Sequence, residues 1–267
     1  MPSSADAAAA PKSVLVTGAG SGFGRGVALG LARRGHKVVA ACHIWPQVTA
    51  LRAEAAAAGL ALEVVKLDVL NPHDRARALR AHDPDVLFNN AGVMESGPMV
   101  EIPLDVMRSV FDVNVFAALE LAQGFAKKMV ARRSGRIVWT SSIAGLVKVP
   151  FDGAYAASKH AVEAICAALR EELRPYGVEV ATVNPGAYRT GFNDTGMETM
   201  DQWWDAGPRA VAHWPRRELT RQADPAEMIA AMIAVIEAER PRYRTVLPAA
   251  AEAMARAEQA AEWEATV

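Results

Sequence analysis

Val14-Leu15-Val16-Thr17-Gly18-Ala19-Gly20-Ser21-Gly22-Phe23-Gly24 carries the reading that decides the fold. A short apolar run ends in a glycine-rich turn. A helical pattern follows, with Val27, Ala28, Leu31 and Ala32 on one face, then Gly35 and a second apolar run, Lys37 to Ala41. Strand, glycine turn, helix, strand is a βαβ unit. Parallel strands need such crossovers, and strands buried on both faces read as continuous apolar runs. Glycines let the backbone turn tightly and approach an anion closely, and the free N–H groups opening the next helix bind a pyrophosphate. The spacing Gly18-x-x-x-Gly22-x-Gly24 is not the strict G-x-G-x-x-G fingerprint, and no G-K-S/T follows, which disfavours a P-loop ATPase.

The alternation continues down the chain. Helical patterns cover Pro46 to Ala58, His73 to Ala81, Pro103 to Arg132 (one long helix or two abutting ones), the stretch after Tyr155, and Pro225 to Glu239. Between them lie apolar runs at Leu62 to Leu67, Val86 to Phe88, Arg136 to Thr140, Glu179 to Val183 and Tyr243 to Leu247. This predicts an α/β chain: a single doubly wound domain over residues 12–248, with a seven-stranded parallel sheet and helices on both faces. Residues 1–11 are read as a disordered lead-in, and the Ala/Glu-rich stretch 249–267 as a helical tail. Residues 187–223 lack a clear period, and a loop that long inside a compact domain is usually functional. It carries Tyr188, Phe192, Trp203, Trp204 and Trp214.

Composition excludes several classes. Hydrophobic residues make up 51% of the 267, charged residues 22%, and the formal net charge is −1, so no bulk attraction draws nucleic acid or anionic membrane. No apolar run reaches the ~18 residues of a membrane span. Cys42 and Cys166 have no partner at metal-ligand spacing, so no metal site is expected, and they fit a reducing, cytoplasmic setting.

Tyr155-Ala156-Ala157-Ser158-Lys159 opens a helix whose Val162, Ile165, Leu169 and Leu173 recur at helical spacing. Four residues apart is one face, so the phenol of Tyr155 and the ammonium of Lys159 can lie side by side. A fixed positive charge favours the phenolate, so Lys159 is expected to lower the Tyr155 pKa and make it an acid/base at neutral pH. Ser142 and its neighbour Ser141 sit just past a predicted strand. No G-x-S-x-G elbow surrounds Ser142, so it is not a hydrolase nucleophile.

Thr17-Gly18-x-x-x-Gly22-x-Gly24, Asp68-Val69, Asn89-Asn90-Ala91-Gly92, Asn114, Ser141-Ser142, Tyr155-x-x-x-Lys159 and Pro185-Gly186, in that order, resemble the signature set of the classical short-chain dehydrogenase/reductases. The resemblance runs from about residue 12 to 248. It implies a Rossmann-type fold and NAD(P)-dependent hydride transfer between an alcohol and a carbonyl. By it, Gly18, Gly22 and Gly24, with Ser21 and Phe23 beside them, would line the pyrophosphate. Asp68 would bond the adenine amino group, with Val69 beside the ring. Asn90, Ala91 and Gly92 would pass near the adenosine ribose, and Pro185, Gly186 and Thr190 would meet the nicotinamide carboxamide. Ser142 would bond the substrate oxygen and Tyr155 would exchange the proton. Lys159 would bind the nicotinamide ribose, and Asn114 would hold a water linking Lys159 to solvent.

An NAD enzyme usually ends its second strand on a carboxylate, and an NADP enzyme carries a basic residue nearby. Here the positions read Cys42 and His43, and Ser21 replaces the family's usual basic residue in the loop, so NADP is slightly favoured over NAD. Met94, Ser142, Tyr188 and Trp203 are the expected substrate contacts, in an aromatic-lined pocket for a hydrophobic alcohol or ketone. A homodimer or homotetramer is expected by family analogy. Three other readings stand beside this one: a non-catalytic NAD(P)-binding redox regulator, an extended-type sugar-nucleotide epimerase, and a structural protein using its apolar helix faces.

Overall fold

The computed structural model describes residues 10–204, 210–211 and 222–266. Seven parallel strands form one sheet: β1 (Ser13–Thr17), β2 (Lys37–Cys42), β3 (Leu62–Lys66), β4 (Val86–Asn89), β5 (Gly135–Thr140), β6 (Val178–Pro185) and β7 (Arg244–Leu247). Their spatial order is β3-β2-β1-β4-β5-β6-β7. The chain winds outward from β1 in one direction and from β4 in the other. Ligands of such sheets bind where the winding reverses, beyond the C-terminal strand ends.

Helices cover both faces: α1 (Gly22–Arg33), α2 (Trp45–Ala57), α3 (Pro72–Ala81), α4 (Leu104–Phe111), α5 (Ala118–Arg132), α6 (Gly153–Leu173), α7 (Phe192–Glu198), α8 (Pro225–Glu237) and α9 (Ala249–Glu262). The strands alternate sides residue by residue. Val14, Val16, Phe88, Val138 and Val183 pack toward α1 and α8, against Val27, Leu31, Met228, Met232 and Ile236. Leu15, Leu87, Ile137 and Trp139 pack toward α5 and α6, against Leu121, Phe125, Met129 and Val162. Both sheet faces are therefore buried, which is why the strands carry no polar alternation.

Sequence cues mark the helix ends. Asn71 caps α3 by accepting from the His73 and Asp74 N–H groups at 2.9 and 3.3 Å, and Asp224 caps α8 from Ala226 at 2.8 Å, with Pro225 at its first position. The run 104–132 is one continuous helical stretch, as expected, though not α-helical throughout. A π-helical turn, Asp112–Ala117, joins α4 to α5 without a break. Such turns cluster at functional sites, and this one contains Asn114. β2 extends one residue beyond expectation, so Cys42 is its last residue rather than the first after it. Both cysteines are buried and unpaired in disulfides.

The expected helical tail is α9. Ala255 packs on Leu146, Val147 and Val246, Gln259 donates to the Leu146 carbonyl at 3.0 Å, and Trp263 stays 88% exposed. Among the described residues, no helix is long and apolar enough to cross a membrane, and no group of His, Cys, Asp and Glu could hold a metal ion. Residues 1–9 of the expected lead-in, and Trp214 of the long loop, lie outside the described residues.

Candidate active site

A cleft of about 750 Å³ opens at the C-terminal ends of β1, β4 and β5, where the winding reverses. Its floor at one end is the turn after β1. Gly18 and Gly22 hold φ of +65° and +50°, a region side chains rarely adopt. A Cβ on Gly24 would lie 2.3 Å from the Gly18 carbonyl oxygen and 2.5 Å from Asn90 Nδ2. The turn is closed backbone against backbone, leaving the α1 N-terminus facing the cleft. Ser21 occupies the N-cap of α1 with no side-chain cap bond. This is the cradle a pyrophosphate requires. We expect Gly24→Ala to weaken NAD(P)H affinity by roughly tenfold or more, because the turn must shift to admit the methyl. Fluorescence titration of the reduced nicotinamide measures it, and unchanged affinity would mean the turn is not the anion site.

Phe23, Val69, Ala91, Pro185, Gly186 and Thr190 all line the cleft. Asp68 also lines it, its Oδ1 accepting from the Leu70 N–H at 2.9 Å and its Oδ2 lying 3.6 Å from His43 Nε2. His43 is exposed at the mouth, where its N–H donates to Gln47 Oε1 at 3.2 Å. Asn90 is spent on structure: Nδ2 donates to the Thr17 carbonyl at 3.1 Å, and Oδ1 accepts from Thr140 Oγ1 at 3.1 Å. It ties the ends of β1, β4 and β5 together.

The opposite end holds Ser142, Tyr155 and Lys159. α6 presents Tyr155 and Lys159 on one face, as the spacing predicted, with the Lys159 Nζ 5.5 Å from the phenol ring centre. Ser142 Oγ accepts from the Ala144 N–H at 3.1 Å and hydrogen-bonds the phenol of Tyr155. The Lys159 ammonium donates to the Thr140 carbonyl at 2.9 Å. Asn114 Oδ1 accepts from the Val93 N–H at 2.8 Å, and its Nδ2 donates to the Val93 carbonyl at 2.9 Å and to Ser158 Oγ at 3.0 Å. A Cβ on Gly92 would lie 3.2 Å from Asn114 Oδ1 and 3.7 Å from Lys159 Nζ, so both groups converge on the bare backbone of that glycine.

One expectation is corrected here. Lys159 does not acidify Tyr155 in this cleft. Burial pushes the phenol up to about 12, the Asp152 carboxylate adds to the rise, and the Ser142 hydrogen bond opposes it. The Lys159 ammonium donates to the Thr140 carbonyl rather than to the phenol oxygen, and burial favours the uncharged phenol. Burial in turn brings Lys159 down to about 8, against the raising influence of Cys166 and Glu163.

Two expected substrate contacts are also corrected. Trp203 does not line the cleft. Its ring edge packs over Gly97, where a Cβ would lie 2.4 Å from the indole. Tyr188 borders the cleft but is only 1% exposed. Its ring meets Phe23 edge-on at 5.6 Å, and its hydroxyl reaches Glu227 at 3.5 Å, so it supports the cleft wall from the core side. Met94 does line the cleft, with Phe192, whose ring lies 5.8 Å from that of Tyr155.

Sequence reasoning missed a buried network behind this wall. Glu163 Oε1 accepts from Asn184 Nδ2 at 2.6 Å, Glu163 Oε2 pairs with Arg244 at 2.5 Å, and Asn184 also donates to the Ser142 carbonyl at 3.1 Å. The available signal was spacing: Glu163 follows Lys159 by four residues, on the same helix face. Glu163→Ala strands Asn184 and Arg244. A fully buried pair broken this way costs about 3–5 kcal/mol, and the partial exposure of Arg244 reduces that to about 2 kcal/mol. Urea unfolding should show it, and a loss under ~0.5 kcal/mol would mean the network carries no stability.

The family model described as short chain dehydrogenase matches residues 12–201. This chain belongs to the short-chain dehydrogenase family. Human retinol dehydrogenase 8 is 33% identical over 255 residues, covering 89% of this chain and 81% of its own length. Among solved structures, a short-chain dehydrogenase/reductase from Burkholderia phymatum in complex with NAD is 28% identical, with TM-score 0.80 and 96% of each chain covered. A short-chain dehydrogenase from Sphingobium yanoikuyae in complex with NADPH is 27% identical, with TM-score 0.75 and 96% of each chain covered. The seven-stranded parallel sheet is that of this short-chain dehydrogenase fold.

Proposed function

We infer that this protein is an NAD(P)-dependent oxidoreductase that interconverts an apolar alcohol and its carbonyl compound, with Tyr155 as the proton-exchanging group. The observation that carries it is the meeting of Ser142, Tyr155 and Lys159 in the same cleft as the glycine turn. When bound, the nicotinamide supplies or takes the hydride. The chain's own residues handle the oxygen. A carbonyl accepting hydride gains negative charge on oxygen, and the hydroxyls of Ser142 and Tyr155 stand ready to donate to it as that charge develops. With its pKa near 12, Tyr155 is fully protonated at neutral pH and suited to give its proton in the reductive direction. The Lys159 ammonium, held by the Thr140 carbonyl, is placed to bind ribose hydroxyls and offset the phenolate left behind. Asn114 holds the Val93 backbone beside Lys159, the position from which a relayed proton would return.

His43 after β2, Ser21 at the α1 N-cap and the lack of a carboxylate ending β2 support NADP over NAD, although Asp68 beside His43 narrows the margin. Met94, Val149 and Phe192 along the cleft, with likeness to a retinol dehydrogenase, support a hydrophobic substrate. A homodimer or homotetramer belongs to the same reading, since Phe116 stands 58% exposed between α4 and α5. The regulator reading gains nothing from relatives named as dehydrogenases. Titration with NADPH and NADH, followed by a carbonyl screen with the tighter one, tests the proposal. Binding of neither, or turnover of small polar polyols alone, would sink it.

A further inference from the structure

β5 and β6 part company just beyond Thr140. The Ser141 N–H donates to the Val183 carbonyl at 2.8 Å, and there the pairing of the two strands ends. Ser142 follows with an extended backbone. A side chain takes over where the backbone ladder stops. Asn184 Nδ2 donates to the Ser142 carbonyl at 3.1 Å and to Glu163 Oε1 at 2.6 Å. A flipped amide would set its oxygen against two acceptors, so this orientation is fixed. Glu163 Oε2 accepts from Arg244 Nη2 at 2.5 Å, which anchors the carboxylate to β7 in turn. Asn184 and Glu163 are both buried, and neither lines the cleft. A buried carboxylate is a costly way to hold a strand if packing is all that is needed.

The arrangement bears on the site through geometry. Thr140 and Ser142 stand two residues apart where β5 ends. The Thr140 carbonyl accepts from the Lys159 ammonium at 2.9 Å. The Ser142 carbonyl is tied through Asn184 to Glu163, one turn further along the same face of α6. Two ties thus hold the end of β5 against α6, and the Ser142–Tyr155 hydrogen bond spans the gap they set. We propose that Asn184 and Glu163 are positioning residues: Glu163 aims the Asn184 amide, and Asn184 holds the Ser142 main chain so that its hydroxyl meets both the Tyr155 phenol and the reacting oxygen. This rests on the oxidoreductase reading above and adds two residues to it. With the tie cut, the Ser142 turn drifts from α6 and the reacting oxygen loses a donor as its charge develops. The glycine turn after β1, at the other end of the cleft, is untouched.

The test is a double-mutant cycle of Asn184→Ala with Ser142→Ala. Its assay is NADPH oxidation with the apolar ketone that the carbonyl screen selects, 4-phenyl-2-butanone being tried first. All rates are taken below the Tm of the least stable protein. Asn184→Ala is expected to lower kcat roughly 10- to 100-fold, the scale of a small misplacement at a reacting centre, with KM and the NADPH dissociation constant within about twofold. In the Ser142→Ala background the same change should cost less than about twofold, because the group it positions is gone. Glu163→Leu should track Asn184→Ala, and Glu163→Gln, which keeps an acceptor for the amide, should recover most of kcat. If Asn184→Ala does not fold, Asn184→Val, better suited to a strand, takes its place in the cycle. Equal losses with and without the Ser142 hydroxyl, or wild-type kcat in the Asn184 variant, overturn the inference and leave the oxidoreductase reading standing. Failure of the wild type to bind NADPH and NADH, or to turn over any carbonyl of the screen, overturns that reading and this one together.

Discussion

Replacing Tyr155 by Phe is expected to cut turnover by about 10²- to 10⁴-fold while leaving NAD(P)H affinity as it was. The aromatic ring stays, so its contact with Phe192 and its place in the buried cluster with Met94 and Ala144 are kept. What goes is one hydroxyl, and with it the hydrogen bond from Ser142 and the proton a reduced carbonyl must receive. A loss of 10³ corresponds to ~4 kcal/mol of barrier, far beyond the net worth of an ordinary hydrogen bond. The expected signature is thus a fall in kcat with little movement in the cofactor dissociation constant or in Tm. Because burial holds the phenol near 12, oxidation of an alcohol, which needs the phenolate, should speed up with rising pH until Lys159 begins to lose its own proton near 8. Wild-type turnover in Tyr155→Phe would remove the residue from the chemistry.

The frame that places this phenol was legible for a plain reason. Strands such as Val86–Asn89 are buried on both sides, so they read as unbroken apolar runs between amphipathic helices, and short crossovers admit few topologies. Four-residue spacing on a helix then fixed Tyr155 beside Lys159. Where the chain leaves regular structure, that logic lapses. After β6 ends at Pro185 nothing local says which way the next side chains face, so Tyr188 turned into the core and Trp203 over Gly97. Arg244 reaches Glu163 across 81 positions of sequence, a pairing only the closed sheet creates. The acidity of Tyr155 eluded sequence for a further reason. Charge spacing can be read from a helix, but the depth of burial that opposes it cannot.

Lys159 should prove as indispensable, and its pH behaviour should identify it. Burial lowers its pKa to about 8, so the ammonium is present below that value and lost above it. If the charged form is what holds the ribose hydroxyls and offsets the forming phenolate, kcat/KM for carbonyl reduction should be flat below pH 7. It should fall close to tenfold per unit once pH passes about 8. Tyr155, titrating near 12, cannot supply that limb, and neither can Cys166, whose thiol burial pushes well above its usual range. Lys159→Met keeps the length of the side chain but removes the charge and the bond to the Thr140 carbonyl. Its kcat/KM should drop about 10²- to 10⁴-fold, and the residual rate should show no inflection near 8. Arginine is a poor substitute, since its fork does not fit a point-charge site, so activity in Lys159→Arg should also stay low. Persistence of the limb near 8 in Lys159→Met would assign it to another group. A fall in cofactor affinity without that change in pH profile would restrict Lys159 to binding.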